Sequence, residues 1–169
     1  LIELFFKGGP KDTPYYAGEY SKSGTEFAET LAGLNDKMNL TPFRFDHNNP
    51  DLSIVREKGR VFFFTCHSIE QVQYLREDYF KILASHGEHV VGIHFEPFGF
   101  QLQDSLPSEL DTVQKVWFED KRWNVNFAEV LQESAARGEI ELTFLAKNIF
   151  GGVDPNSPTS IAIWQSKSG

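Results

Sequence analysis

The sequence is short of cysteine and of positive charge. Cys66 is the one cysteine among 169 residues, which excludes a disulfide framework and a four-thiolate zinc site. Sixteen Lys and Arg against 24 Asp and Glu give a formal net charge of −8. Because binding to a phosphate backbone needs a surplus of basic residues on one face, we expect no nucleic-acid partner.

Long apolar runs are also absent. No stretch approaches the roughly 18–20 residues of a membrane span, and no signal-peptide pattern opens the chain. We therefore expect a soluble, cytoplasmic protein without membrane contact. The length predicts a single globular domain over residues 1–169. Its core is expected in residues 1–100, followed by an acidic helical region and a β-hairpin in residues 104–169.

Strand and helix patterns alternate along the chain. Short apolar or alternating runs predict strands at residues 1–7, 43–46, 61–64, 89–96, 139–146 and 160–165. Cap residues and apolar positions at helical spacing predict helices at residues 23–38, 50–58, 68–86, 108–118 and 126–137. This order predicts an α/β fold, a three-layer sandwich whose mainly parallel, mixed sheet has about five or six strands.

A second architecture omits the helix at residues 50–58. The chain then has an α+β, ferredoxin-like βαββαβ core with a C-terminal α-β-β extension. Such a sheet leaves one face open. Residues 61–64 (VFFF) and 90–95 are instead apolar at nearly every position, which is typical of strands covered on both faces. The three-layer sandwich is therefore the favoured prediction.

Titratable side chains follow three of the predicted strands. In an open α/β sheet, ligands bind outside the carboxyl ends of the strands, and residues from separate parts of the sequence meet there. We therefore predict a site at this edge of the sheet. The candidate catalytic residues are Asp46, His47, Cys66, His67, His94 and Glu96.

Each candidate also has a structural interpretation. Cys66 is either a thiolate nucleophile at a helix N-terminus or a small core residue. His94 and Glu96 lie on the same face of one strand. Together with Asp46, His47 or His67 they form a His/carboxylate metal site or an acid–base pair, or they are hydrogen-bonded residues at the sheet edge. We assign no metal ligand and leave the cofactor unknown. No Rossmann fingerprint, P-loop, GxSxG, HExxH or EF-hand pattern is present.

Two function classes fit these observations. The first is a small α/β ligand-binding domain or an enzyme of the hydrolase or transferase type, with a small polar substrate. The second is a non-enzymatic acidic interaction protein, such as an inhibitor, immunity or adaptor protein, that binds a basic partner protein. Residues 104–141 hold nine acidic and four basic residues together with Trp117 and Trp123, which favours such a partner. The cluster of titratable groups places the first class slightly ahead.

Overall fold

The fold is described from a computed structural model, which describes residues 1, 5–34, 38–56, 58–102, 107–151 and 158–167. The α/β class is confirmed, since these residues form helices and six strands. The chain divides into two compact units, Leu1–Arg56 and Glu57–Gly169, and each is described by itself. The single domain over residues 1–169 stays a prediction, because compact units can belong to one domain.

The first unit is a small parallel βαβ arrangement. Its elements are β1 (Tyr15–Glu19), α1 (Lys22–Gly33) and β2 (Leu40–Arg44), and β1 pairs with β2 in parallel. Ser21 caps α1, because its hydroxyl oxygen accepts a hydrogen bond from the Gly24 N–H at 3.0 Å. Phe5, Tyr15 and Met38 form the buried core of this unit.

Three local predictions are wrong in this unit. Phe5 and Phe6 are helical, although a strand was expected over residues 1–7; residues 2–4 lie outside the described residues. A short apolar run fits either state. The stretch before residue 23, which has no predicted element, contains β1. The predicted helix at residues 50–58 is replaced by turns, because the Asp51 carboxylate accepts the Ser53 N–H at 2.8 Å and competes with helix formation.

The second unit contains a four-stranded mixed sheet. Its strands are β3 (Arg60–Cys66), β4 (His89–Glu96), β5 (Ile140–Phe150) and β6 (Thr159–Ser166), in the order β3-β4-β6-β5. β3 is parallel to β4, whereas β6 is antiparallel to both β4 and β5. The helices are α2 (Tyr79–Ala84), α3 (Glu109–Lys121) and α4 (Phe127–Ala136). Two 3₁₀ turns lie at Ile69–Gln71 and Gly99–Gln101.

The mixed character of the sheet is confirmed, but its extent differs from the prediction. The six strands of the described residues lie in a two-stranded and a four-stranded sheet rather than in one sheet. Two of the four strand pairings among them are parallel, so the sheets are not mainly parallel. The ferredoxin-like alternative is not formed either, since it requires one βαββαβ sheet.

One face of the four-stranded sheet, here called the covered face, carries Val90, Gly92, His94 and Glu96 of β4 and Trp164 of β6. These residues are buried. Helices α2 and α4 contact this face, with the rings of Phe80 and Phe127 at 5.6 and 5.4 Å from the His94 ring. Gly92 lies opposite Trp164, and a Cβ at this glycine would overlap the indole.

The opposite face, here called the open face, carries Phe62, Phe64, Ile93, Ile163 and Phe144 in register. Phe62, Phe64 and Phe144 are 54%, 37% and 48% exposed. The predicted burial of residues 61–64 on both faces is therefore wrong. An apolar run shows that both faces of a strand are apolar, but coverage depends on where the helices pack.

Candidate functional site

The carboxyl ends of β3 and β4 place Cys66, His67, Ser68 and Glu96 in one neighbourhood of the second unit. The Glu96 carboxylate accepts the Ser68 N–H, with N–O distances of 3.1 and 3.2 Å. Burial raises the pKa of Glu96, whereas hydrogen bonds from Thr65 and from the backbone after β3 oppose this rise. Glu96 is thus a buried carboxylate fixed by the backbone at the end of the neighbouring strand.

A hydrogen-bonded chain reaches Glu96 from inside the sheet. The Trp164 Nε1–H donates to His94 Nε2 at 2.8 Å, and because indole can only donate, this nitrogen carries no proton. His94 Nδ1 lies 2.9 Å from the Thr65 hydroxyl, which in turn bonds Glu96. His94 is fully buried. His94 therefore orients Thr65, and through it Glu96, from inside the core, where solvent does not reach it.

His67 has two side-chain partners. Its Nδ1 lies 3.1 Å from Glu70 Oε2, and its Nε2 lies 2.8 Å from the Thr159 hydroxyl. The His67 side chain is about one third exposed, and its backbone is left-handed with φ of 49°. Burial raises the pKa of Glu70, and His67 partly offsets this rise. Hydrogen bonds thus link a carboxylate, an imidazole and a hydroxyl. Enzymes orient a general base by this arrangement.

Cys66 lies beside these groups but lacks the environment of a thiolate. Partial burial raises the pKa of its thiol, and the carboxylates of Glu96 and Glu70 raise it further. The expected helix N-terminus is absent, because the turn that follows spans only Ile69–Gln71. Both observations disfavour the nucleophilic role proposed from the sequence.

Asp46 and His47 follow β2 in the first unit. The Asp46 carboxylate accepts hydrogen bonds from the Asn48 N–H at 2.8 Å and from its side-chain amide at 3.0 Å. Burial lowers the pKa of His47 to about 4, with Asp46 opposing the change, and the ring contacts Phe45 at 5.1 Å. At neutral pH His47 is uncharged, while Asp46 closes its own turn.

A cavity of about 10 Å³ lies next to Glu70 and Glu96. Its walls also include the rings of Phe98, Phe118 and Phe127. A cavity needs a volume of roughly 10–15 Å³ to hold one water molecule, so this one has room for about one water. In the part of the chain that the structure describes, no three His, Cys, Asp or Glu side chains are placed to hold a metal.

Sequence reasoning missed three residues of this site. Thr159 contacts His67 but lies 92 positions away from it in the chain, so no local pattern links them. Glu70 lies in the predicted helix at residues 68–86, which is wrong over most of its length, because the structure forms only the turn Ile69–Gln71 and α2 there. Trp164 lies in a predicted strand, but its bond to His94 depends on the pairing of β4 with β6. The one signal for this site that the sequence contains is the spacing of His67 and Glu70, a histidine followed three positions later by a carboxylate.

Comparisons with known proteins were made at the levels of family, sequence and structure. No protein-family model matches the chain, and no curated protein matches it in sequence. Among solved structures, a LepI variant in complex with SAH and a substrate analogue matches with a TM-score of 0.62 and 11% identity. The match covers 98% of this chain and 39% of that one.

Two further structures share the fold. LepI in complex with SAM matches with a TM-score of 0.59 and 9% identity, over 98% of this chain and 38% of that chain. A chain of the Pnkp1/Rnl/Hen1 complex matches with a TM-score of 0.55 and 14% identity, over 98% and 34% respectively. This chain therefore spans less than two fifths of the chains it resembles. The likeness extends to the α/β fold alone. Across the described residues, no helix is both long and apolar enough to span a membrane.

Proposed function

We propose that this chain is a ligand-binding α/β domain of the transferase type, with a small polar ligand held at the carboxyl ends of β3 and β4. The observation that carries the proposal is the arrangement of Glu70, His67 and Thr159 at that edge. The fold likeness to LepI, whose structures contain SAM or SAH, supports it.

His67 is the proposed acid–base group. Glu70 holds Nδ1, so Nε2 is directed towards a hydroxyl oxygen, which is Thr159 in this structure. A ligand hydroxyl that reaches the same nitrogen would exchange a proton with it. The left-handed backbone of His67 costs on the order of 1–3 kcal/mol and persists only where the surroundings hold it, a feature enriched at functional sites.

SAM itself does not fit the cavity beside Glu70 and Glu96. That space of about 10 Å³ has room for about one water molecule. The sequence also has no glycine-rich phosphate or dinucleotide motif. SAM and SAH are therefore ligands to test because of the fold likeness, and no reaction step is assigned to them.

Ligand-dependent thermal shifts test this proposal. SAM, SAH and a set of small hydroxylated and carboxylated compounds would be added to the wild type and to His67→Ala, Glu70→Gln and His89→Ala. His89 is exposed at the opposite end of β4, so it is the matched control. We expect a shift in the wild type and in His89→Ala that is lost in His67→Ala and reduced in Glu70→Gln.

The same screen can contradict the proposal. A wild-type protein that responds to none of these compounds, or a His67→Ala variant that responds fully, would show that His67 does not serve a ligand site. His47→Ala is a separate arm of the screen. Loss of the shift in this variant would assign the ligand to the first unit, beside Asp46 and His47.

A second candidate function is supported by the surface of α3. Val113, Val116 and Trp117 are exposed on one side of this helix, and the Lys121 ammonium lies 5.0 Å from the centre of the Trp117 ring. Acidic residues accompany this apolar stripe. The exposed carboxylates of α3 and α4 include Glu119, Asp120, Glu129 and Glu133. This arrangement supports an acidic interaction protein with a basic protein partner.

Salt-dependent capture with basic partner proteins tests the second candidate. The wild type is compared with a variant that carries Glu119→Gln, Asp120→Asn, Glu129→Gln and Glu133→Gln. We expect the quadruple variant to lose the partner at a lower salt concentration, because fewer charges face it. A partner held equally by both proteins would remove the electrostatic basis of this candidate.

A further inference from the structure

Strand β3 is an edge strand without the usual protection. It stands at one end of the order β3-β4-β6-β5, and among the described residues it pairs only with β4. Its sequence, RVFFFTC, contains no proline or lysine and has a single charge at Arg60. Natural proteins blunt exposed edges with charges, prolines or bulges, because an open edge pairs with other strands.

The main-chain groups that face this edge can be assigned. The His89 N–H donates to the Gly59 carbonyl and the His67 N–H donates to the Phe95 carbonyl, both at 3.0 Å. The main-chain N–H and C=O groups of the odd-numbered residues in this segment therefore point towards β4. Since main-chain groups alternate in direction along a strand, the N–H and C=O groups of Phe62 and Phe64 face away from β4, towards the edge.

The side chains of the same two residues lie on the open face. Phe62 and Phe64 remain substantially exposed, and their rings stack at 6.1 Å with an interplanar angle of 28°. One strand thus presents an unpaired main-chain edge and two neighbouring aromatic rings. A second strand added beside β3 would pair with these main-chain groups and bury the two rings, and both changes are favourable.

We propose that β3 pairs antiparallel with β3 of a second copy of this chain, around a two-fold axis at Phe63. This axis places Phe62 opposite Phe64 of the partner subunit and brings four exposed rings together. The two sheets then join into one continuous sheet. The pairing is isologous, as in most homodimers.

The sequence of β3 favours a second copy over an unrelated strand. Rotation about Phe63 exchanges positions 62 and 64, and both hold Phe. The same rotation places Arg60 opposite Cys66 of the partner subunit. A parallel pairing in register would instead bring the two Arg60 side chains together.

A single cysteine substitution tests the register. Directly opposite residues that exchange hydrogen bonds in an antiparallel pair have Cα atoms about 5.5 Å apart, within the range of a disulfide. Arg60→Cys should therefore form bridges to Cys66 of the partner subunit under mild oxidation. Within one strand, positions 60 and 66 are separated by roughly 20 Å, which excludes a bridge inside one chain.

The expected result is a covalent dimer on a non-reducing gel, with peptide mapping that links positions 60 and 66. Thr112→Cys, at an exposed position of α3, is the matched control and should dimerise at least tenfold more slowly. Equal cross-linking of the two variants, or bridges that join position 60 to position 60, would overturn the proposed pairing.

Sedimentation equilibrium tests the association without a new cysteine. The wild type should dimerise, whereas Phe62→Lys/Phe64→Lys should weaken dimerisation at least tenfold through charge repulsion at the edge. Val113→Lys/Val116→Lys places the same charges on α3 and should leave the dimer unchanged. A wild type that is monomeric at all concentrations overturns the proposal and leaves the edge to a strand from another protein.

Discussion

The covered and open faces of the four-stranded sheet carry residues of opposite character. The covered face encloses His94, Glu96 and the indole N–H of Trp164, whereas the open face exposes Phe62, Phe64 and Phe144. The strands alternate as the sequence requires, so the difference lies in what packs on each side. The cost of burying polar groups on the covered face is offset because these groups hydrogen-bond one another. Coverage by helices therefore decides burial here, and side-chain polarity does not.

The largest expected effect compares one aromatic residue from each face. Trp164→Ala removes a fully buried side chain and leaves a cavity, so we expect the free energy of unfolding to fall by about 3–5 kcal/mol. Phe144→Ala removes a ring that is half exposed and should cost less than about half as much. Urea denaturation followed by circular dichroism measures both. Equal losses would show that the open face is covered in solution.

Gly92 tests how closely the covered face is packed. Gly92→Ala places a Cβ against the Trp164 indole, and we expect a loss of about 1–3 kcal/mol from overpacking. Gly59→Ala is the control, because open space surrounds Gly59. Thermal melts of the two variants measure the difference. A Gly92→Ala variant as stable as Gly59→Ala would mean that the indole moves aside at little cost.

Thr65 tests the hydrogen-bonded chain on the covered face. Thr65→Val keeps the shape of the side chain but removes the hydroxyl between His94 and Glu96. The unpaired groups should lower the free energy of unfolding by about 1–3 kcal/mol. Thr112→Val, at an exposed position on α3, should change it by less than about 0.5 kcal/mol. Urea denaturation measures the difference in unfolding free energy between these two variants. Equal values would show that the hydrogen bonds of Thr65 do not stabilise the fold.

The smallest effect is a dependence on pH. Burial raises the folded-state pKa of Glu96 above its ordinary value of 4.5, so the folded protein binds this proton more tightly than the unfolded chain. The contribution of Glu96 to stability is present below pH 4.5 and is lost as the pH rises through the higher folded-state pKa. The unfolding free energy of wild type minus that of Glu96→Gln should therefore fall over this window. A flat difference would contradict the assigned direction of the shift.

Local patterns predicted much of the second unit. The segments at residues 61–64, 89–96, 139–146 and 160–165 overlap β3, β4, β5 and β6, and those at 108–118 and 126–137 overlap α3 and α4. Their signals are alternation, helical spacing and a serine cap at Ser108, all of which act within a few residues. The strand predicted at residues 1–7 and the helix at residues 50–58 failed because several local conformations compete there.

The candidate site was predicted in part. The sequence placed His67 and Glu96 at neighbouring strand ends, and both lie at the carboxyl ends of the parallel pair β3 and β4. It also treated His94 as a candidate catalytic residue, although the structure places it inside the core with Trp164. The direction of a strand side chain follows from alternation. Whether that direction leads to solvent or to a helix depends on the packing.

The shortage of cysteine excluded a disulfide framework from the sequence alone, because this depends on a residue count. The shortage of positive charge predicts that no nucleic acid binds, and this stays a prediction. The sequence also determined most strands and helices of the second unit, because their patterns are local. Only the tertiary structure decided that Thr159 meets His67 and that Glu70 holds it. Only the tertiary structure left Phe62 and Phe64 of β3 exposed. Contacts between distant residues depend on strand pairing and helix placement, which no local pattern contains.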